Sequence, residues 1–242
     1  YKPIDYYECW WGHGEMPNLN FDLNEINPSE NIIKDINLAN PNMEVVNYIL
    51  EVAKYWISDM DIDGFRLDVP NEVPFWFWEL FRNTVKSIKP DAYLVGELWN
   101  NAVDWVNDDY FDAVMNYAYF KDPVMRFFNM RKCNAKQFNN DLMQGLLTYP
   151  LQSTQAMMNL IDSHDTHRYL ESANGDIEKL KLAVLFQMTY VGVPHIWYGD
   201  EIGMMGGHDP DCRRPFEWNY INNPEKVNLR DYYKHLIKIR ND

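Results

Sequence analysis

Gly64-Phe65-Arg66-Leu67-Asp68-Val69, followed beyond an aromatic segment by Tyr93-Leu94-Val95-Gly96-Glu97, is the stretch on which the fold turns. Each half is a short apolar run ending in a carboxylate, and the carboxylates stand about thirty residues apart, the length of one strand, helix, strand unit. Parallel neighbours in such a unit carry equivalent ends side by side, so Asp68 and Glu97 are expected at one edge of one sheet. Two acids facing each other across a cleft are what glycosidic bond cleavage needs.

Outward from this centre the chain alternates helical and strand patterns. Before it, Pro41 opens a helix in which Val45, Val46, Ile49, Leu50, Ala53, Trp56 and Ile57 recur at three and four. Inside it, Pro74 starts a second helix that ends before Pro90. Beyond it, strand-length apolar runs follow at Phe111 to Tyr117, Met157 to Ile161 and Val193 to Tyr198. Helices are expected near Pro123 to Met130 and over Ala135 to Thr148, Asp176 to Tyr190 and Asn228 to Arg240. Apolar strands alternating with helices indicate a parallel sheet covered on both faces, with polar residues at the strand ends. Five such strands are present where a closed (β/α) barrel has eight. Residues 1 to 40, rich in Asn, Pro, Gly and Trp, read as an ordered loop region in which Met16-Pro17-Asn18-Leu19-Asn20 stands beside Tyr6, Tyr7, Trp10 and Trp11.

The totals narrow the partners. A formal charge of −14 over 242 residues repels phosphate backbones and anionic lipid, so no nucleic acid or membrane partner is expected. An aromatic content of 15% has two readings, core packing and platforms for pyranose rings. Cys9, Cys133 and Cys212 show no metal-site or disulfide spacing, which leans towards a cytoplasmic setting. No signal peptide opens the chain and no apolar run is long enough to cross a bilayer. Residue 1 is Tyr in mid-loop composition, so the sequence is expected to begin inside a longer chain.

Gly64 to Asp68, Val95 to Glu97 and Asn159 to Asp165 resemble, in order, the second, third and fourth signature regions of the α-amylase family of glycoside hydrolases. Met16 to Asn20, and Tyr198 to Met204 leading into Gly206 to Arg213, resemble the branch holding cyclomaltodextrinase, neopullulanase and maltogenic amylase. The family's first signature region has no counterpart, nor have its flanking β-domains. The resemblance therefore implies an α/β fold, a partial TIM barrel of about strands 4 to 8. Residues 1–40 would be the end of an inserted loop domain and 41–242 the C-terminal part of the catalytic barrel.

Carried over residue by residue, the resemblance implies that Asp68 is the nucleophile, Glu97 the general acid and base, and Asp165 the transition-state stabiliser. Arg66 places a positive charge beside Asp68, His164 meets sugar hydroxyls, and Glu72 joins the substrate-binding set. Trp99 is a platform for the leaving sugar or a rim packing residue. Leu94, Val95 and Leu98 favour the protonated form of Glu97. The substrate implied is an α-1,4-linked maltodextrin or cyclodextrin, and the chemistry is retaining hydrolysis. Two alternatives stand beside it: an amylase-like module that binds sugar or protein without catalysis, and a glucanotransferase or isomaltase.

No redox or organic cofactor is implied, and a structural calcium is admitted by the family without a ligand set in this sequence. His164-x-x-His167 with Asp162 and Asp165 has the residue types of a metal site, but the spacing needs a helix to converge. His208, Asp209, Asp211 and Cys212 read as turn chemistry and solvated charge. Asp200 and Glu201 read as structural or outer-subsite residues. Because an open sheet leaves strand edges unpaired, two copies could pair through them, and this chain alone is expected to be weak or inactive.

Overall fold

The computed structural model describes residues 7–24 and 32–242. Tyr6, a member of the aromatic cluster in the sequence, lies outside the described residues. Residues 1–94 and 95–242 form two compact units, with the boundary inside strand β2 (Tyr93–Gly96).

In the first unit, residues 7–24 and 32–40 contain short 3-10 turns at Trp10–Gly12 and Ile36–Leu38 and an antiparallel bridge between Cys9 and Pro17. The buried Asp22 organises this region, its carboxylate accepting from Asn24 N, Asn40 N and the Trp76 indole. Pro41 sits in a bridge with Asp22 and not inside the helix, which begins one residue after Asn42. Helix α1 (Met43–Lys54) runs into a wide π turn, Tyr55–Asp59, and buries Val46, Ala53 and Ile57.

Strand β1 (Gly64–Leu67) follows, and Asp63 O accepts from Tyr93 N at 2.8 Å where β2 begins. A Cβ on Gly64 would lie 2.0 Å from Tyr93 O, so only glycine lets the two backbones approach. Helix α2 (Phe75–Ile88) packs Trp76, Phe77, Trp78, Phe81 and Val85 inwards, and Pro74 stands just outside it. Lys89 at its end reaches back to Asp61, Ile62 O and Asp63, tying the helix to the entry of β1.

In the second unit, the end of β2 pairs in parallel with β3 (Ala113–Val114) through Val95 with Ala113 and Gly96 with Val114. A parallel bridge joins Met115 to Met158 of β4 (Met158–Asn159), which pairs in parallel with β5 (Val193–Pro194). The strands are shorter than the apolar runs that announce them, and side-chain bonds gather around Asn159. Its side chain accepts from Asn116 Nδ2 and donates to Val191 O. Gln187 Nε2 donates to both Asn159 O and His195 O, alongside the backbone bond from His195 N to Asn159 O at 2.7 Å.

Helices clothe these strands. α3 (Asp122–Val124) is one α turn between π turns at Tyr117–Lys121 and Met125–Asn129. α4 (Ala135–Thr148) opens on a capping box from Asn134 and Gln137. α5 (Leu151–Ala156) and α6 (Tyr169–Ser172) are short additions that no sustained period announces. α7 (Ile177–Thr189) buries Leu180, Ala183, Val184, Gln187 and Met188 at the three-and-four spacing of one face. α8 (Pro224–Asn241) starts earlier than its apolar stripe, with Asn223 as cap and Pro224 in the first turn. α7, α8, Phe120, Phe138, Ile161 and Tyr169 contribute to one hydrophobic core. No helix of the described residues is long and apolar enough to cross a membrane.

Candidate active site

In the first unit Asp68 follows directly on β1, its side chain 69% exposed, and forms an ion pair with Arg66. Arg66 lies two residues back on the same strand face, where pleating sends side chains in register. Val69, next in the chain, holds a left-handed backbone (φ 39, ψ 55), which a β-branched residue rarely adopts and which turns the chain sharply after the carboxylate. The Trp78 indole donates to Pro70 O at 2.9 Å and anchors this turn to α2.

A cleft of about 310 Å³ opens beside Asp68, and Glu72, Trp10, Met16 and Asn18 are among its walls. Glu72 is itself positioned by the Trp11 indole, which donates to it at 3.2 Å, and Trp10 stacks on Trp11. Thus Asp68, Glu72 and Met16 to Leu19, far apart in sequence, share one cleft within the first unit.

In the second unit Glu97 follows immediately on β2 and is 4% exposed. Trp99, two residues on, stacks flat against Tyr117 at 4.1 Å between ring centroids. The Tyr117 hydroxyl lies 3.1 Å from Ser163 Oγ, which accepts from Asp165 N at 3.2 Å. This relay links the loop after β2, through the π turn Tyr117–Lys121 that follows β3, to the loop after β4. Asp165 contacts His164 Nε2 at 2.9 Å and Arg213 Nη2 at 2.8 Å. The Arg213 Nε also donates to His164 O, as does Cys212 Sγ, and it pairs with Asp209 at 2.9 Å. A cleft of about 410 Å³ lies against Asp165, Thr166, His167 and His208. A larger cavity, about 580 Å³, is lined from α7 and α8 and holds none of the candidate residues.

Arg213 makes the contact that sequence reasoning does not reach. It closes the Gly206 to Arg213 motif, but nothing in a string of residues shows that a loop arginine meets an acid 48 positions earlier. Asp162 is buried and accepts from Tyr169 N at 2.6 Å. Among the described residues no three His, Cys, Asp or Glu side chains are arranged to hold a metal ion. Asp211 closes its own turn, accepting from Gly207 N and bonding Arg214, and both pull its carboxyl below the ordinary aspartate value.

Known proteins resemble this chain closely. The family profile of the α-amylase catalytic domain matches residues 29–236. The chain is 49% identical to neopullulanase 2 of Thermoactinomyces vulgaris over 203 residues, covering 84% of this chain and 34% of that protein. It is 47% identical to the cyclomaltodextrinase of Thermoanaerobacter pseudethanolicus over 205 residues, covering 85% and 35%. A solved cyclomaltodextrinase structure superposes with a TM-score of 0.78 at 46% identity, covering 84% of this chain and 35% of that one. The chain thus spans about a third of the length of these relatives.

Proposed function

The chain belongs to the α-amylase catalytic domain family, within the TIM-barrel superfamily, and on that premise we propose that it carries the catalytic centre of a retaining α-glucan hydrolase. Relatives at this identity are named as cyclomaltodextrinase and neopullulanase, and the proposed substrates are accordingly α-1,4-linked maltodextrins and cyclodextrins. Residues 41–242 are read as barrel strands 4 to 8 with their helices, and 1–40 as the end of an inserted loop domain.

Asp68 attacks the anomeric carbon, Glu97 protonates the leaving oxygen and then activates water, and Asp165 stabilises the oxocarbenium charge. Glu97, 4% exposed at the end of β2, is assigned the acid role. Asp68, exposed and paired with Arg66, suits the nucleophile. Arg66, Glu72, Trp99 and His164 hold the sugar rings around the bond. The observation that supports this reading best is the relay from Trp99 through Tyr117 and Ser163 to Asp165, which fixes the loops after β2 and β4 to each other.

The decisive experiment follows the anomer released from maltoheptaose or a cyclodextrin by the natural gene product, using proton NMR. Retention predicts the α-anomer first; β-anomer first, or no hydrolysis of any α-glucan, overturns the proposal. The 242-residue chain by itself is expected to be slow or inactive, since it spans about a third of its relatives. Association of two copies through strand edges is part of the same reading, and a monomeric solution mass at high concentration removes it. So is a cytoplasmic setting, which the three free cysteines suit.

A further inference from the structure

Beneath the loop that carries His164 and Asp165 lie three charged side chains with almost no exposure: Asp162, Arg168 and Asp200. Asp162 and Arg168 flank His164 and Asp165 in that loop, and Asp200 opens the 3-10 turn Asp200–Ile202 that follows β5. Asp162 accepts from Tyr169 N at 2.6 Å, closing the loop on itself. Arg168 Nη1 donates to Tyr198 O at 2.8 Å and to Asp200 Oδ1 at 3.1 Å, while its guanidinium lies over the Trp197 and Tyr198 rings. The two buried carboxyl groups act on each other electrostatically, and Arg168 acts on both. Asp162 Oδ1 and Asp200 Oδ2 are nevertheless buried with no donor.

We propose that Asp162 and Asp200 share one proton and, with Arg168, form a neutral buried staple that positions the His164–Asp165 loop. Two facing carboxylates cannot hydrogen-bond each other, whereas one proton between them satisfies both remaining oxygens. It also balances the charge: one guanidinium against one carboxylate, with no net charge left among three side chains that have almost no exposure. Burial pushes both carboxyls up from their ordinary value; the neighbouring Asp162 charge adds to this at Asp200, and Arg168 opposes it at both. The other charged or titratable groups facing the pair are Lys121, Glu201, Tyr169 and Tyr233. Lys121 contacts Asp122, and Glu201 accepts from Gly199 N, so both have local partners of their own.

The staple fixes the loop on both sides of His164 and Asp165, leaving Ser163, His164 and Asp165 to face Tyr117 and Arg213. Its role as a positioning device rests on the hydrolase reading; the shared proton does not. Infrared spectroscopy of the chain with isotope-labelled aspartate reads that proton at neutral pH. The carbonyl stretch of a protonated carboxyl is expected in the wild type and is lost in Asp162→Asn and in Asp200→Asn, where the remaining acid ionises against Arg168. Its absence from the wild type, or its survival in both variants, overturns the proposal.

Turnover by the natural gene product tests the positioning. Asp200→Ala is expected to lower kcat by about tenfold or more, with Asp200→Asn recovering most of it because the amide still donates. Equal impairment by both substitutions, or none by Asp200→Ala, overturns the positioning role. Should the hydrolase reading itself fail, no variant turns over α-glucan, and the infrared band still decides the proton.

Discussion

Arg66–Asp68 and Arg168–Asp200 join the same two chemical groups in opposite surroundings. In the first pair the side chains are 27% and 69% exposed; in the second, 0% and 4%. The exposed pair is screened by water and is worth little to the fold, so its position at the end of β1 beside a cleft argues for chemistry. The buried pair has lost its hydration, and the fold depends on the two charges staying matched. An arginine beside an aspartate thus carries no meaning of its own; exposure separates a pair free to meet a ligand from one that holds the scaffold.

The largest expected effect comes from unmatching the buried pair. Arg168→Met preserves bulk while leaving Asp162 and Asp200 without their cation, and it is expected to cost about 3–5 kcal/mol of unfolding free energy. Chemical denaturation measures it, and a loss below about 1 kcal/mol would place both pairs in the same class.

Next comes pH. Because burial raises the carboxyls of Asp162 and Asp200 above the ordinary 3.8, the folded chain keeps a proton that the unfolded chain releases. That contribution is fully present below the unfolded value and is lost as pH rises through the raised folded values. Unfolding free energy should therefore fall with rising pH above 3.8 by up to about 1.4 kcal/mol per unit for one proton. Asp200→Asn removes most of that slope. Asp211, whose carboxyl is held low, works in the reverse sense: its contribution is present at neutral pH and lost as pH falls. A wild-type slope equal to that of Asp200→Asn would dissolve the contrast between the pairs.

The exposed pair is legible in the sequence and the buried one is not, for a physical reason. Arg66 lies in β1 and Asp68 one residue past its end, two apart, so the period of the strand carries both to one face. Asp162, Arg168 and Asp200 belong to a loop, a helix start and the segment beyond β5, with no period to relate them, and charged residues normally signal solvent. The same division runs through the fold. α7 follows from Leu180, Ala183, Val184, Gln187 and Met188, and α4 has the bounds its pattern indicates, because apolar spacing and caps are local. The π turns at Tyr117–Lys121 and Met125–Asn129 and the two-residue lengths of β3, β4 and β5 are set by tertiary packing. Arg213 on Asp165 is likewise a contact made only when distant loops meet.

Smaller again is Arg66→Ala. Removing the guanidinium from a pair whose carboxylate stands mostly in water should change unfolding free energy by about 0.2–1 kcal/mol, less at high salt. Hydrolysis should suffer far more than stability, since Asp68 loses the charge that orients it. A stability loss comparable to that of Arg168→Met would mean that exposure is the wrong criterion for separating the pairs.

The smallest expected effect on the fold, and the most informative, is Asp68→Asn. The amide matches the carboxylate in shape and the side chain is 69% exposed, so unfolding free energy should move by no more than about 0.5 kcal/mol. Turnover of α-glucans by the natural gene product should nevertheless disappear, because an amide nitrogen and oxygen cannot form the glycosyl ester on which retention depends. Circular dichroism and denaturation on the variant separate this from unfolding. Undiminished turnover in a folded Asp68→Asn variant would show that an exposed, arginine-paired carboxylate at the end of β1 is not the nucleophile, and the chemical half of the contrast would have to move to another acid.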